Sequence, residues 1–148
     1  MVDGGAGETA AMTACVFCEV VADERPAEVV LSDDLVLAFL DHRPVFKGHV
    51  LVAPRRHVVT LADLAPADIG PFFLRVQRLA VAVQAAMAAD GSFVAMNNVV
   101  SQSVPHLHVH VVPRRRKDGL RGFFWPRQRY DDEPEAAATA ARIRAALA

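Results

Sequence analysis

A chain of 148 residues, 53% hydrophobic and 22% charged, is long enough to bury its own core and too apolar to be a disordered polymer. Its formal net charge of -1 provides no global field for nucleic acid or an anionic membrane, so any basic function has to be local. No stretch reaches the roughly 18 uninterrupted apolar residues of a membrane span, and Met1 to Thr13 lacks the basic and apolar regions of a secretory signal, so the chain reads as cytoplasmic.

In chain order, residues 1–13, with Gly4, Gly5 and Gly7, read as a flexible leader. Cys15 and Cys18 follow as the only two cysteines. In a reducing compartment their C-x-x-C spacing suggests metal binding or redox chemistry, and a buried pair of reduced thiols is the structural alternative. Glu28 to Ser32 and Leu35 to Leu40 are β-rich runs joined by Asp33-Asp34, and Val50 to Ala53 is a third strand after a turn at Lys47-Gly48, which makes an antiparallel meander.

Between Pro66 and Ala89, residues Ile69, Phe72, Phe73, Val76, Leu79, Ala80, Val83 and Met87 follow helical spacing, with Pro66 suited to the first turn and Gly91 to the stop. Pro71 weakens only the first turn. Phe93 to Asn97 and His106 to Val112 are two more strands, and the Ala-rich segment from Glu133 to Ala148, with Arg142 and Arg144, is a short C-terminal helix. The order of strands, one long helix and further strands predicts an α+β fold with a five-stranded antiparallel sheet.

Chemistry concentrates in His106-Leu107-His108-Val109-His110-Val111-Val112-Pro113. In a strand, period-two alternation puts the three imidazoles on one face and Leu107, Val109 and Val111 in the opposite layer. Histidine serves as nucleophile, metal ligand or proton carrier near neutral pH, so the row fits catalysis or a three-histidine catalytic zinc. A half-exposed strand that merely tolerates histidines is the bland alternative.

The stretch Gln102-Ser103-Val104-Pro105 leading into that row resembles, with it, the signature of the histidine-triad (HIT) family. Asp34 to Pro44, containing Leu37-Ala38-Phe39-Leu40-Asp41, and Lys47-Gly48-His49-Val50-Leu51-Val52-Ala53-Pro54 are similar to the family's nucleotide-binding half, and the likeness extends from Cys15 to Arg114. The resemblance implies a HIT domain over residues 14–132, with the helix of 133–148 beyond it. It also implies a homodimer that sets two five-stranded sheets side by side.

The function so implied is cleavage at the α-phosphate of nucleotide conjugates, phosphoramidates or dinucleoside polyphosphates, through a nucleotidyl-histidine. His108 is the nucleophile of this reading, His110 contacts the α-phosphate, Gln102 and Ser103 hold phosphate or leaving-group oxygens, and Asn97 braces the loop. A purine nucleotide would lie with its ribose on Asp41 and its base among Phe17, Val20 and Phe39, while His49 supports the triad face. A structural zinc would take Cys15, Cys18, His57 and His106, leaving His108 and His110 for phosphate. A nucleotide-binding regulatory protein with little turnover is the other function class.

Two departures from the family pattern stand out. The segment from Asn97 to Gln102 has Val99, Val100 and Ser101 where family members commonly carry glycines, which let backbone amides approach phosphate. Arg114 to Arg127 is basic and aromatic, with Arg121, Phe123, Phe124 and Trp125, and suits extra phosphates and a stacked base or a packed surface loop. Positive charge with aromatics is also the footprint of single-stranded nucleic-acid binding, but one short stretch does not make this a nucleic-acid protein.

Overall fold

The computed structural model describes residues 14–120 and 128–147. The chain divides between Asp118 and Gly119 into two units. The leader and the aromatic stretch 121–127 lie outside the described residues.

The first unit holds helix α1 (Val16–Val21), strands β1 (Val29–Ser32), β2 (Val36–Leu40) and β3 (Val50–Pro54), a single 3-10 turn at Leu61–Asp63, helix α2 (Pro66–Ala86), and strands β4 (Gly91–Ala95) and β5 (Val109–Arg114). The strands form one antiparallel sheet in the order β1-β2-β3-β5-β4. The second unit contributes helix α3 (Glu133–Leu147), which opens where the sequence predicts it, with the Asp132 carboxylate accepting the Glu135 N–H at 2.8 Å. Among the described residues no helix is long and apolar enough to cross a membrane.

The middle strands read as unbroken apolar runs because both their faces are covered. Val36, Ala38, Val50, Val52, Val109 and Val111 pack with Phe72, Val76, Leu79 and Val83 of α2 on one face. Leu37, Phe39, Leu51 and Ala53 pack with Cys15, Phe17, Cys18 and Val20 on the other. The meander turns at Asp33, whose Oδ1 accepts the N–H groups of Leu35 and Val36 at 2.9 Å each, while Oδ2 accepts Arg75 Nε of α2 at 2.6 Å. The turn is thereby pinned to the long helix.

Four expectations need correction. Helix α2 ends at Ala86 rather than Ala89, and Gly91 opens β4 instead of stopping the helix. The stop is a Schellman turn in which Ala88 takes φ 48° while Ala88 N–H bonds to Ala85 O at 3.2 Å and Ala89 N–H to Gln84 O at 2.9 Å. Ile69, expected on the buried stripe, is 40% exposed, because in the first turns the helix meets the sheet only from Phe72 onward. Strand β4 lies two residues earlier than predicted, ending at Ala95 opposite His110. Strand β5 starts at Val109, not His106: pairing with β3 runs no further back than Val52 opposite Val109, and the chain before it is drawn off by Leu107 N–H bonding to Val58 O at 2.7 Å. Helix α1 and the 3-10 turn were not anticipated.

Candidate functional site

The alternation of the histidine row survives although two of its imidazoles precede the strand. Leu107, Val109 and Val111 sit in the core under α2, and the rings of His106, His108 and His110 lie on the α1 side. In that row His110 is paired with Leu51 and Ala95, and Leu51 in turn with Phe39. His106 and His108 are 0% and 3% exposed.

Backbone chemistry fixes the tautomers. A carbonyl only accepts, so at 2.7 Å from His106 O the His108 Nδ1 carries a proton, which makes Nε2 the lone-pair nitrogen of the neutral ring. His49 Nδ1 accepts the Val45 N–H at 3.2 Å, which leaves its proton on Nε2 to be donated to His110 Nδ1 at 2.9 Å. His110 then presents an Nε2–H. Burial, with His108 and His49 adding to it and Asp41 opposing, pushes His110 down to about 4. His49 is also lowered, by burial first, with Asp41 opposing and His108 assisting, so both rings are neutral at physiological pH.

Beside this lies a second cluster. Ligand atoms of Cys15, Cys18, His57 and His106 all fall within 4.8 Å of one another. His106 Nδ1 is 3.4 Å from Cys15 Sγ and 3.6 Å from Cys18 Sγ, and His57 Nδ1 is 3.3 Å from Cys18 Sγ. Tetrahedral zinc, with Zn–S about 2.3 Å and Zn–N about 2.0–2.1 Å, sets sulfur and nitrogen about 3.5 Å apart, so the four residues fit such an ion. His106 Nε2–H donates to Pro54 O at 2.7 Å, which turns the Nδ1 lone pair toward the sulfurs as a metal ligand requires. Burial, with the Pro54 carbonyl opposing and His57 and His108 assisting, holds His106 down at about 4 and hence neutral. Burial and the neighbouring Cys15 push the Cys18 thiol up to about 12, so a cation is what would ionise it.

A catalytic metal held by all three histidines of the row is excluded by their directions. His106 turns to the cysteines and His110 to His49. Among the described residues, the other metal-competent group is Asp41, His49 and His110.

The loop before the row is tied to itself. Gln102 Oε1 accepts the Val99 N–H at 3.0 Å and Gln102 Nε2 donates to Val59 O at 2.6 Å, so its amide braces the loop and is not free for a leaving group as placed here. Asn97 Nδ2 donates to Ser101 O at 3.1 Å. Ser103 is exposed beside the row. Val99 and Ser101 adopt φ 69° and 60°, the left-handed region that glycine would enter without strain. Asn98, which sequence reasoning passed over, accepts the Leu61 N–H at 2.8 Å.

On the opposite side, Phe17 packs edge-to-face on Phe39 with centroids 5.4 Å apart and on His108 at 4.9 Å. Phe17, Val20 and Phe39 belong to the core beneath α1, so as a base pocket they would act as walls. The Asp41 carboxylate caps the following turn through the Arg43 N–H at 2.9 Å and stands 3.8 Å from His49 Nδ1. Of the basic tail, Arg114 is engaged by Asp118 at 2.6 and 3.0 Å, Arg115 reaches Met87 O, and the Arg116 N–H reaches Asp90. Arg121, Phe123, Phe124 and Trp125 lie outside the described residues.

Known proteins share this architecture. The HIT domain family model matches residues 22–117. A HIT-like protein of Mycobacterium tuberculosis is 39% identical over 139 residues, covering 90% of this chain and 93% of that one. Adenosine 5'-monophosphoramidase of Schizosaccharomyces pombe is 32% identical over 117 residues, 76% of this chain and 83% of its own. A bis(5'-nucleosyl)-tetraphosphatase of that yeast is 34% identical over 94 residues, 62% of this chain and 52% of its own. Among solved structures, a HIT family member from Bacillus subtilis superposes with a TM-score of 0.80 at 32% identity, covering 89% of this chain and 95% of that one. A Zn-bound histidine triad family protein from Mycobacterium smegmatis superposes with a TM-score of 0.70 at 35% identity, covering 91% and 99%. With a matching family model over most of its length and the fold in agreement, the chain belongs to the HIT-domain family.

Proposed function

We propose that the protein is a nucleotide hydrolase or transferase that cleaves nucleoside phosphoramidates or dinucleoside polyphosphates at the α-phosphate through a nucleotidyl-histidine at His108. The observation that carries this reading is the 2.7 Å bond from His108 Nδ1–H to His106 O, which orients a buried imidazole with its Nε2 directed away from the protein's own acceptor. That nitrogen forms the N–P bond as the bond from phosphorus to the leaving group breaks and the leaving group takes up a proton. Water then cleaves the N–P bond and releases a nucleoside monophosphate.

His110 supports the first step as a donor. Its Nδ1 is occupied by His49, so its Nε2–H is the group available to a phosphoryl oxygen. Asp41 takes the ribose hydroxyls as a two-oxygen acceptor, and Phe17, Val20 and Phe39 wall the purine. Ser103 is the leaving-group contact in this reading, and Gln102 shapes the loop that carries it. The phosphoramidase and tetraphosphatase names of the two yeast relatives support the reaction class.

Cys15, Cys18, His57 and His106 hold a structural zinc in this reading; with four protein ligands it offers no open position to substrate, and what it supplies is an anchored α1. The working domain spans 14–132, functions in the cytoplasm, and pairs with a second copy, for which β4 at the end of the sheet provides an edge. The test is brief exposure to adenosine phosphoramidate and diadenosine polyphosphate, followed by mass spectrometry without acid, because phosphoramidate bonds to histidine are acid-labile. An adenylyl mass on the His108 peptide is expected. Release of AMP with no such adduct, or with the adduct elsewhere, overturns the proposed nucleophile, and no AMP from either substrate overturns the activity.

A further inference from the structure

We propose that His106 is a positioning residue that ties the orientation of the His108 ring to occupation of the Cys15–Cys18–His57–His106 cluster by a divalent metal. The nucleophile's identity rests on the function proposed above; the coupling itself rests on geometry. His106 belongs to both sites. Its ring is clamped at each nitrogen, by the two sulfurs at 3.4 and 3.6 Å on one side and by Pro54 O at 2.7 Å on the other. Its main-chain carbonyl is the acceptor that fixes His108. The ring and that carbonyl are parts of one residue, so a shift of the ring to or from a metal is passed to the oxygen that orients the nucleophile.

A second contact path reaches the same ring. Cys15 caps α1, accepting the Cys18 N–H at 3.5 Å, and Phe17 in the turn between them stands edge-on to His106 at 5.9 Å and to His108 at 4.9 Å. A six-residue helix has too few internal hydrogen bonds to hold itself in place, so the two cysteines are its anchor. Metal ligands therefore flank His108 on two sides, through the carbonyl of His106 and through the ring of Phe17. An in-line attack tolerates little misplacement: about 1 Å costs on the order of 100-fold in rate.

The test uses the full chain, stripped with a chelator under reducing conditions and reloaded with Zn2+. Circular dichroism reports the fold, the 15N imidazole shifts of His108 report its tautomer without substrate, and kcat and KM for adenosine phosphoramidate report turnover. On stripping, the folded protein should lose the single Nδ1–H form of His108, and kcat should fall about tenfold or more while KM moves less. Zn2+ should restore both. If stripping unfolds the chain, the Zn2+ form is compared with the folded form carrying the larger Cd2+, and both His108 shifts and kcat should differ.

Unchanged His108 signals with unchanged kcat, in the stripped folded protein or between the two metals, overturn the coupling. A loaded protein that turns over no nucleotide conjugate defeats the proposed function instead. The imidazole signals then still decide whether metal and His108 are linked.

Discussion

The two faces of the sheet are built from the same strands and do different work. Toward α2, Val36 and Ala38 of β2, Val50 and Val52 of β3 and Val109 and Val111 of β5 pack on Phe72, Val76, Leu79 and Val83. Toward α1, Leu37, Phe39, Leu51 and Ala53 share the face with Cys15 and Cys18 of the α1 segment and with His106, His108 and His110, and each of those cysteines and histidines has a hydrogen-bond partner. An apolar face can be resurfaced with similar volumes at modest cost, whereas each ring on the polar face depends on one particular acceptor. Apolar packing dominates one side, and hydrogen-bonded imidazoles and thiols mark the other.

The largest effect that would break this division is on turnover. His108→Ala should lower AMP release by about 10,000-fold or more while costing stability only about 1–3 kcal/mol, chiefly for the carbonyl of His106 left without its donor. Single-turnover kinetics and urea melts on the same preparation check both halves. The mirror experiment is Phe72→Ala, at a ring that is 0% exposed under the sheet. It should cost about 3–5 kcal/mol in urea unfolding and leave kcat per folded molecule near wild type. If Phe72→Ala altered kcat as strongly as stability, the two faces would not be separable.

The α2 face was the more legible of the two in the sequence. Periodicity at Phe72, Val76, Leu79 and Val83 and the strand runs of the meander depend on burial alone, which apolar patterning reports directly. On the α1 face the histidine spacing announced the row, and the family resemblance nominated His49, His57 and the cysteines. The partners that give those rings their roles, the acceptors His106 O and Pro54 O and the donor Val45 N–H, are backbone groups, which side-chain patterning does not report. Helix α1 was invisible because six residues are too few for a period, and the departure of His106 from the strand depends on a bond to Val58, 49 positions back in the chain. Gln102 bonds through its amide to Val59 and Val99, backbone partners that its residue type does not announce.

Three smaller perturbations sharpen the comparison where the two faces meet. Gly48 takes φ +95°, and a Cβ there would come 2.6 Å from Met87 Cγ at the end of α2. Gly48→Ala should cost about 2–3 kcal/mol, and because His49 follows directly, it should also lower kcat. In Gly48→Ala/Met87→Ala the clash is gone and the backbone strain remains, so a double-mutant cycle in urea should recover about 1 kcal/mol of that loss after the Met87→Ala cost is subtracted.

Acid should act first on the α1 side, where buried His106 and His110, held at about 4, stay neutral while unfolded imidazoles protonate near 6.5, and then on the α2 side. Burial raises the Asp33 carboxyl, but the Val36 N–H, the Arg75 guanidinium and the Leu35 N–H outweigh it and bring it to about 2. An unfolded aspartate titrates near 3.9, so the stabilisation is complete above that pH and is lost as pH falls from about 4 to about 2. Partial exposure keeps it to roughly 1–2 kcal/mol. In Asp33→Asn that segment of the stability-pH curve should be flatter by this amount; an unaltered slope would mean that Arg75 and the turn do not hold the carboxylate in solution.

The smallest effect is a gain. Ala88 closes α2 in the left-handed region at φ 48°, making both hydrogen bonds of the Schellman turn with a side chain that this conformation penalises. Glycine removes that penalty of about 1–2 kcal/mol and returns part of it as extra freedom in the unfolded chain. Ala88→Gly should therefore stabilise the protein by about 0.5–1 kcal/mol in urea melts. Since the turn lies on the α2 side, kcat should stay unchanged. A loss of stability would mean that the turn relaxes in solution, and with it the close approach of Met87 to Gly48 that couples the helix end to His49.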